Sequence, residues 1–435
     1  MTAEICLINK MGVALAADSA VTIGGGNKIY NSANKLFALS KYQPVGIMVY
    51  GNASFLRVPW ETIIKLFREQ LGNTIFDQLS DYNDEFINFL ENNEFDELMT
   101  VKEEENYNLT IIEESIINIY HNIMKDLKEY IDDSPQLNEE ELKELVKDLF
   151  KVKIGSKLDE INNEEYIDDL DENDLRYISD IYDTHITHIV DKYFENFIFY
   201  DEQVEEISQI VKQKLLKEFS SHTSGIVIAG FGKKNLYPVV IAQEIDGKID
   251  SKIKTAVTTH TSIGENADSG IYPFAQSEMV YSFLEGIDPD MESLSDYYLT
   301  QIFNETSDIF VDQMESILIP EVQIDVLKST IKGEMVKIYE RYKATIKSYQ
   351  EREFTDPTLG ILRSLPKGEL AEMAEALVNL TSFRRKASGS LETVGGPIDV
   401  AVITKGDGFV WIKRKHYFEP DRNQHFYTNY FKRED

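Results

Sequence analysis

The chain has 435 residues and a formal net charge of −32, from 76 acidic and 44 basic residues. Hydrophobic residues make up 42% of it, which is enough to bury a core, whereas the negative field repels nucleic-acid phosphates and anionic membranes. No apolar run approaches the ~20 residues that span a bilayer, and one cysteine, Cys6, excludes an intrachain disulfide framework. Glu4 and the lack of basic residues before it argue against a secretion signal. We therefore expect a cytoplasmic protein with no nucleic-acid or membrane partner.

The first 72 residues predict strands followed by a helix. Four short apolar runs bounded by turn residues predict strands, the first two as an antiparallel hairpin: Ile5 to Ile8, Val13 to Ala17, Lys35 to Leu39 and Val45 to Tyr50. After Gly51, apolar residues recur at three- and four-residue spacings within Ala53 to Leu71. This spacing predicts an amphipathic helix.

An acidic block follows from about residue 73 to 220. Ten of the residues from Asp81 to Tyr107 are acidic and Lys102 alone is basic. Asn138 predicts a helix cap, because an amide oxygen at that position accepts free backbone N–H groups. We interpret the block as a solvated helical insertion with a thin core of its own.

The remaining elements alternate between strands and helices. Strands are predicted at Gly225 to Gly232, Tyr237 to Glu244, Ile398 to Thr404 and Phe409 to Lys413. Helices are predicted at Phe274 to Gly286, from Ile324 to Tyr349 and around Leu370 to Val378. Strand pairs with helices collected between them indicate α+β layers, not a parallel sheet.

This order predicts one core interrupted by two insertions. The segments are 1–72 (core, first part), 73–220 (acidic helical insertion), 221–288 (core, second part), 289–365 (helical insertion) and 366–435 (core, third part, and tail).

Generic ligand sites find little support. Gly24 to Gly26 lacks the spacing and the Lys-Ser/Thr of a phosphate loop. Asp288, Asp290 and Glu292 lack the glycine and the distal glutamate of a calcium loop. His185 and His188 lie on a helix where three-residue steps drift around the axis. We expect neither a cofactor nor a metal.

Thr2 follows the initiator methionine and is small enough to permit removal of Met1. The product would begin with a threonine whose free amine can accept the proton of its own hydroxyl group. Threonine at the second position is common, so Thr2 alone does not indicate a nucleophile, and the neighbouring sequence is needed as evidence.

Two stretches of sequence give that context. The first is Thr2-Ala3-Glu4-Ile5 through Ala16-Ala17-Asp18-Ser19 to Thr22, followed by Asn34-Lys35-Leu36-Phe37-Ala38-Leu39. The second is Pro397-Ile398-Asp399-Val400-Ala401-Val402-Ile403-Thr404-Lys405-Gly406-Asp407-Gly408-Phe409. The first resembles the start, and the second the last hairpin, of proteasome β subunits and the related bacterial HslV peptidases. Ala229 to Gly232 and Tyr281 to Glu285 resemble the family's middle strands and following helix, in the family's order.

The resemblance implies a fold and a set of roles. The fold is the four-layer αββα sandwich of N-terminal nucleophile hydrolases. Thr2 would be the nucleophile, and Asp18, sixteen positions later, would orient Lys35. The charge on Lys35 would lower the pKa of the Thr2 amine, because a second positive charge nearby is disfavoured. The backbone N–H of Gly51, just before the first long helix, would stabilise the oxyanion.

The family also places a serine before its middle helix and an acid and a serine before its last hairpin. Ser269 is the preferred middle serine, since Pro273-Phe274 follows it, with Gly264 to Asn266 as the other register. Counting back from Ile398 puts Leu391 and Val394 at the later positions. An insertion could align Ala387-Ser388-Gly389 instead, and Glu392 is a possible substitute for the acid.

The predicted function is a threonine-type endopeptidase that hydrolyses polypeptides through Thr2. Family resemblance also implies a homo-oligomer and a possible regulatory ATPase. Two alternatives stay open, since a fold alone does not set specificity. One is a proteasome-like assembly scaffold without activity, and the other is an amidohydrolase for a small amide.

Overall fold

The computed structural model describes residues 2–23, 28–92, 99–133, 138–195, 200–315, 321–387 and 394–431. It shows a mixed α/β chain with several antiparallel sheets and many helices. The chain forms two compact units, one of Met1–Leu36 with Ser262–Asp435 and one of Phe37–Thr261. Within the described ranges, no helix is both long and apolar enough to cross a membrane.

The described strands and helices are as follows. The strands are β1 (Ala3–Asn9), β2 (Gly12–Ala17), β3 (Val21–Ile23), β4 (Lys28–Tyr30), β5 (Leu36–Ala38), β6 (Val45–Gly51), β7 (Ser54–Phe55), β8 (Val58–Pro59), β9 (Ser224–Gly230), β10 (Val239–Ile249), β11 (Lys252–Ser262), β12 (Ser269–Ala275), β13 (Asp399–Thr404) and β14 (Gly408–Lys413). The helices are α1 (Trp60–Leu71), α2 (Leu79–Glu91), α3 (Val101–Asp133), α4 (Glu139–Asn163), α5 (Glu172–Phe194), α6 (Tyr200–Lys217), α7 (Glu278–Glu285), α8 (Pro289–Glu315), α9 (Glu321–Gln350), α10 (Asp356–Leu362), α11 (Lys367–Ala387) and α12 (Gln424–Phe431).

The first unit contains a five-stranded antiparallel sheet in the order β12-β1-β2-β13-β14. Its two hairpins, β1–β2 and β13–β14, are the ones that the sequence predicts. Helices α7, α10 and α11 supply the apolar side chains that cover one face of this sheet, against Ala3, Ile5 and Leu7 of β1. Because successive side chains of a strand alternate, Thr2, Glu4 and Cys6 share the other face. All of these residues are buried.

The second unit contains a five-stranded sheet in the order β11-β10-β9-β6-β5. Strand β9 pairs antiparallel with both β6 and β10, which confirms the predicted middle strand pair. Strand β11 was not predicted. Its sequence, from Lys252 to Ser262, mixes lysine, threonine and histidine with few apolar residues, and Val257, Thr258 and His260 in its second half are exposed.

Two predicted helix starts are wrong. The first long helix begins at Trp60, not near Ala53, because Leu56 and Arg57 have φ angles of 44° and 66° and turn the chain into the small β7–β8 hairpin. The middle helix begins at Glu278, because Phe274 still pairs with β1. Ala275 has a φ angle of 62°, which excludes it from a helix. Positive φ angles of this kind are incompatible with a helix.

The acidic block is helical, and Asn138 caps α4 by accepting the N–H groups of Glu140 and Glu141. Its core is not thin, which corrects our interpretation. Helix α2 packs against the second sheet through four buried apolar side chains, Tyr82, Phe86, Phe89 and Leu90. Helices α3 to α6 enclose a further cluster that includes Ile112, Ile178 and Ile210.

Helices α8 and α9 pack against each other, joined by ion pairs of Lys332 with Asp308 (3.2 Å) and Lys343 with Asp296 (2.9 Å). The predicted amphipathic segment is therefore helical. Its side chains Tyr342, Ile346 and Tyr349 are exposed in the single chain, whereas the side chains of Ile324 and Leu327 lie outside the described residues.

Candidate active site

Thr2 lies at the start of the first strand of the sheet in the first unit. Its carbonyl oxygen accepts the backbone N–H of Gln276 at 3.0 Å, which continues the pairing of β1 with β12 by one step. The residue is 5% exposed. Its hydroxyl oxygen has no hydrogen-bond partner among the described residues. A buried hydroxyl group without a partner is unfavourable for folding, so its position calls for a functional explanation.

Asp18 follows the second strand and accepts four hydrogen bonds. Its Oδ1 accepts the backbone N–H of Ala3 at 3.2 Å and a proton of Lys35 Nζ at 2.5 Å. Its Oδ2 accepts the backbone N–H groups of Ala20 at 3.2 Å and Gly395 at 2.9 Å. One carboxylate therefore joins the Thr2–Ala3 peptide to the lysine.

Lys35 lies directly before β5, and its side chain is 6% exposed while that of Asp18 is 1% exposed. An ion pair shielded from water in this way exerts a stronger field on neighbouring groups than a surface pair. Of the five predicted site residues, the structure brings Asp18 and Lys35 into direct contact. Thr2 is linked to them through the backbone N–H of Ala3, which donates a hydrogen bond to Asp18.

Ser269 does not join this group, which corrects the predicted placement. It pairs with Asn9 at the far end of β1, whereas Ala275 pairs with Ala3 at the Thr2 end. Six strand residues separate the two ends, or roughly 20 Å at ~3.3 Å per residue. The Ser269 hydroxyl donates to the carbonyl of Leu359 at 3.1 Å, which is a structural contact.

Gly51 ends β6 in the second unit and has a φ angle of 76°. A Cβ atom there would lie 2.6 Å from the carbonyl oxygen of Thr223, so the backbone itself requires glycine. Since α1 begins only at Trp60, Gly51 is not at a helix N-terminus, contrary to the prediction. Its role as an oxyanion donor stays a prediction.

The segment before the last hairpin also reaches Asp18. Besides the bond from Gly395, the backbone N–H of Ser19 donates to the carbonyl of Gly395 at 3.1 Å, and the Ser19 hydroxyl donates to the carbonyl of Pro397. Val394 is buried in the helix-covered face of the sheet and carries no polar group. Ser388, Gly389, Leu391 and Glu392 lie outside the described residues, as do Gly24 to Gly26.

Glu4 is the residue that the sequence analysis missed. It is fully buried, and neither carboxylate oxygen has a hydrogen-bond partner among the described residues. Burial raises the pKa of Glu4 well above its usual range; the charge on Lys35 opposes this, the charge on Asp18 adds to it, and the Thr2 hydroxyl opposes it. An acidic residue inside an otherwise apolar strand was the signal that could have found it.

This arrangement can support acyl transfer on Thr2. It combines a hydroxyl group without a partner among the described residues, a buried lysine that shares the Asp18 carboxylate with the Thr2–Ala3 peptide, and a glutamate on the same face of the strand whose pKa is raised by burial. Within the described residues, no three His, Cys, Asp or Glu side chains are grouped so as to hold a metal ion.

Comparison with solved structures shows a distant similarity. No protein-family model matches the chain, and no curated protein sequence matches it. A solved structure, Anbu (ancestral beta-subunit) from Yersinia bercovieri, is similar over 98% of this chain and 94% of that chain, with 9% sequence identity and a TM-score of 0.27.

Proposed function

We propose that this chain is a threonine-type N-terminal nucleophile hydrolase that cleaves peptide bonds through Thr2 after removal of Met1. One observation carries the proposal: within the part of the chain that the structure describes, the buried Thr2 hydroxyl has no partner, although the Asp18–Lys35 ion pair is anchored to the peptide next to it. We propose the four-layer αββα sandwich as the fold. The two five-stranded sheets and the helices on one face of the first sheet are compatible with it.

The reaction begins with the free amine of Thr2 in its neutral form. The Oγ atom attacks the carbonyl carbon of the substrate while the amine accepts the hydroxyl proton. The C–N bond then breaks, and the amine passes that proton to the leaving nitrogen, which leaves an ester on Thr2. Water, activated by the same amine, hydrolyses the ester and restores the hydroxyl group.

Lys35 and Asp18 set the conditions for this proton transfer. A buried ammonium disfavours a second positive charge nearby, so the Thr2 amine would titrate below its usual ~7.7–8.0 and stay neutral at physiological pH. Asp18 fixes the ammonium and the Thr2–Ala3 peptide with the same oxygen, Oδ1. A shared anchor keeps the distance between cation and amine constant, as catalytic preorganisation requires.

Intact mass spectrometry with a peptide epoxyketone tests the proposal, because this electrophile needs both the hydroxyl group and the free amine of an N-terminal residue. We expect the purified chain to lack Met1 and to gain one inhibitor mass. Thr2→Ala should gain none, whereas Thr381→Ala, a change at another buried threonine, should label normally. Retained Met1, or labelling of Thr2→Ala, would reject the nucleophile and favour the scaffold function.

Assembly into a homo-oligomer is a further part of the proposal. Tyr342, Ile346 and Tyr349 on α9 expose apolar surface that a neighbouring copy could cover. With −32 charges on each chain, we expect association to strengthen from low to moderate salt, since salt screens repulsion beyond ~8 Å at physiological ionic strength. Sedimentation across a salt series measures this, and a 50.0 kDa species at every salt concentration would exclude the homo-oligomer.

A further inference from the structure

The buried carboxyl group of Glu4 has no part in the mechanism above. It lies two residues after Thr2 and on the same face of β1, opposite the face that α7, α10 and α11 cover. Glu4 is 0% exposed, and both of its oxygens lack a hydrogen-bond partner among the described residues. A buried polar group without partners is costly, and leucine or glutamine would fill the same volume.

The surroundings of Glu4 are those of the proposed nucleophile. The charged side chains that act on it are Lys35, which lowers its pKa, and Asp18, which raises it. Its cross-strand neighbours, Ala17 and Phe274, carry no charge. The Thr2 hydroxyl lies close enough to favour the ionised form of the carboxyl, although in the unprocessed chain the two groups do not meet hydrogen-bond geometry.

We infer that Glu4 is a positioning residue for Thr2: its neutral carboxyl group donates a hydrogen bond to Thr2 Oγ once Met1 has been removed. This inference rests on the proposed function. The neutral acid has an O–H group, so it can donate to a lone pair of Oγ and leave the hydroxyl proton pointing at the amine. An ionised carboxylate can only accept, so it would draw that proton away from the amine.

The direction of the pKa agrees with this role. Burial is the largest cause that holds the pKa of Glu4 high, so the carboxyl group keeps its proton well above the pH at which a surface glutamate loses it. Rising pH eventually ionises Glu4, and activity should fall as it does so. The wild type should therefore show an alkaline loss of kcat that a permanently neutral side chain does not show.

Two variants at Glu4 test the inference. Glu4→Gln keeps a donor and a neutral charge, so we expect kcat within about threefold of wild type and loss of the alkaline decline. Glu4→Leu has no donor, so we expect kcat to fall about tenfold, the kinetic equivalent of one hydrogen bond, with KM unchanged because Glu4 is inaccessible to substrate.

Glu104 provides a matched control. It is 4% exposed, burial raises its pKa, and one of its oxygens has no partner among the described residues, but it belongs to the second unit. Glu104→Gln and Glu104→Leu should leave kcat and its pH profile unchanged.

A stability measurement tests the protonation state of Glu4 independently of activity, so the inference can be checked even if a variant loses activity by misfolding. Between the pKa of the unfolded chain and that of the folded chain, only the unfolded state releases the Glu4 proton, so wild-type stability falls as pH rises. Glu4→Gln should therefore become progressively more stable than wild type from about pH 5 upward. If the difference in stability between Glu4→Gln and wild type does not change with pH, Glu4 is not protonated in the folded protein and the inference is wrong.

The kinetic outcomes separate the two proposals. If wild type hydrolyses its reporter and Glu4→Leu does so equally well, Glu4 has no positioning role. If Glu4→Gln is as impaired as Glu4→Leu, the carboxyl acts in its ionised form and the inference is wrong. If wild type neither reacts with the epoxyketone nor hydrolyses peptides, the proposed function itself has failed.

Discussion

Two buried lysine–aspartate pairs, one in each unit, have the same chemistry but different surroundings. Lys35 and Asp18 lie 2.5 Å apart in the first unit, and Lys254 and Asp246 lie 3.0 Å apart in the second. All four side chains are at most 6% exposed. Burial and pairing alone therefore do not distinguish a catalytic ion pair from a structural one.

The difference lies in the groups around each pair. Asp246 accepts hydrogen bonds from the Tyr107 hydroxyl at 2.5 Å and from the backbone and hydroxyl groups of Ser220, at 2.6 and 2.7 Å. Lys254 also donates to the carbonyl of Glu218. Burial would raise the pKa of Asp246, but Lys254 and these donors hold it below its usual range. This pair ties β10 and β11 to α3 and the end of α6.

Next to Asp18 and Lys35, by contrast, polar atoms are left without partners. Thr2 Oγ1 and both oxygens of Glu4 are buried and unpaired among the described residues. A structural network satisfies its polar groups, whereas a reaction site keeps some of them available for substrate or proton transfer. The unpaired atoms beside Asp18 and Lys35, more than the ion pair itself, support the proposal that the reaction takes place at Thr2.

The largest expected effect comes from neutralising each pair completely. Asp18→Asn with Lys35→Met should lower kcat/KM for a peptide reporter by about 100- to 10,000-fold, the range for loss of acid–base function. Asp246→Asn with Lys254→Met should leave it within about threefold. Because each double variant removes both charges, neither leaves an unpaired ion in the interior. Equal losses of kcat/KM in the two double variants would show that the Asp18–Lys35 pair is no more important for activity than the Asp246–Lys254 pair.

The second prediction concerns stability. Lys254→Met alone leaves Asp246 buried without its cation, so we expect unfolding to become about 3–5 kcal/mol easier. Urea denaturation measures the change. Asp246→Asn in the same chain should recover most of it, since the uncompensated charge is then gone. A single variant as stable as wild type would mean that water reaches Asp246.

The third prediction concerns a donor to the structural pair. Tyr107→Phe removes the hydroxyl group that donates to Asp246 at 2.5 Å and leaves the ring in place. The expected cost is about 1.5–3 kcal/mol, the range for a hydrogen bond to a charged group. Denaturation of the variant in parallel with Lys254→Met measures it. Activity of the folded fraction should match wild type.

The sequence predicted one of these pairs and not the other, for a physical reason. Asp18 and Lys35 were found through their spacing from Thr2 in a resemblance to a known family. Lys254 lies in β11, which was not predicted because its sequence is largely polar. Asp246 lies in the second half of β10, beyond the predicted end of that strand at Glu244. Pairing across strands brings them together, and local sequence does not encode it.

The same limit explains one misplaced prediction and one missed residue at the candidate site. Strands with clear apolar runs, such as β1, β2 and β13, were predicted correctly because each is buried along its whole length. Ser269 was chosen by its distance from Pro273, but register with β1 puts it opposite Asn9. Glu4 was noticed only as a charge that argues against secretion. Its depth of burial depends on tertiary packing.

The smallest expected effect is at a lysine–carboxylate pair on the surface of the first unit. Lys413 of β14 lies 2.7 Å from Glu375 of α11, as close as the buried pairs, but its side chain is 56% exposed. Water solvates both charges before and after the pair forms, and two flexible side chains lose entropy in forming it, so Lys413→Met should cost about 0.2–1 kcal/mol. High salt should reduce even this difference, whereas it should change little at Lys254. Urea denaturation at two salt concentrations measures both variants, and a cost at Lys413 equal to that at Lys254 would show that burial does not separate these pairs.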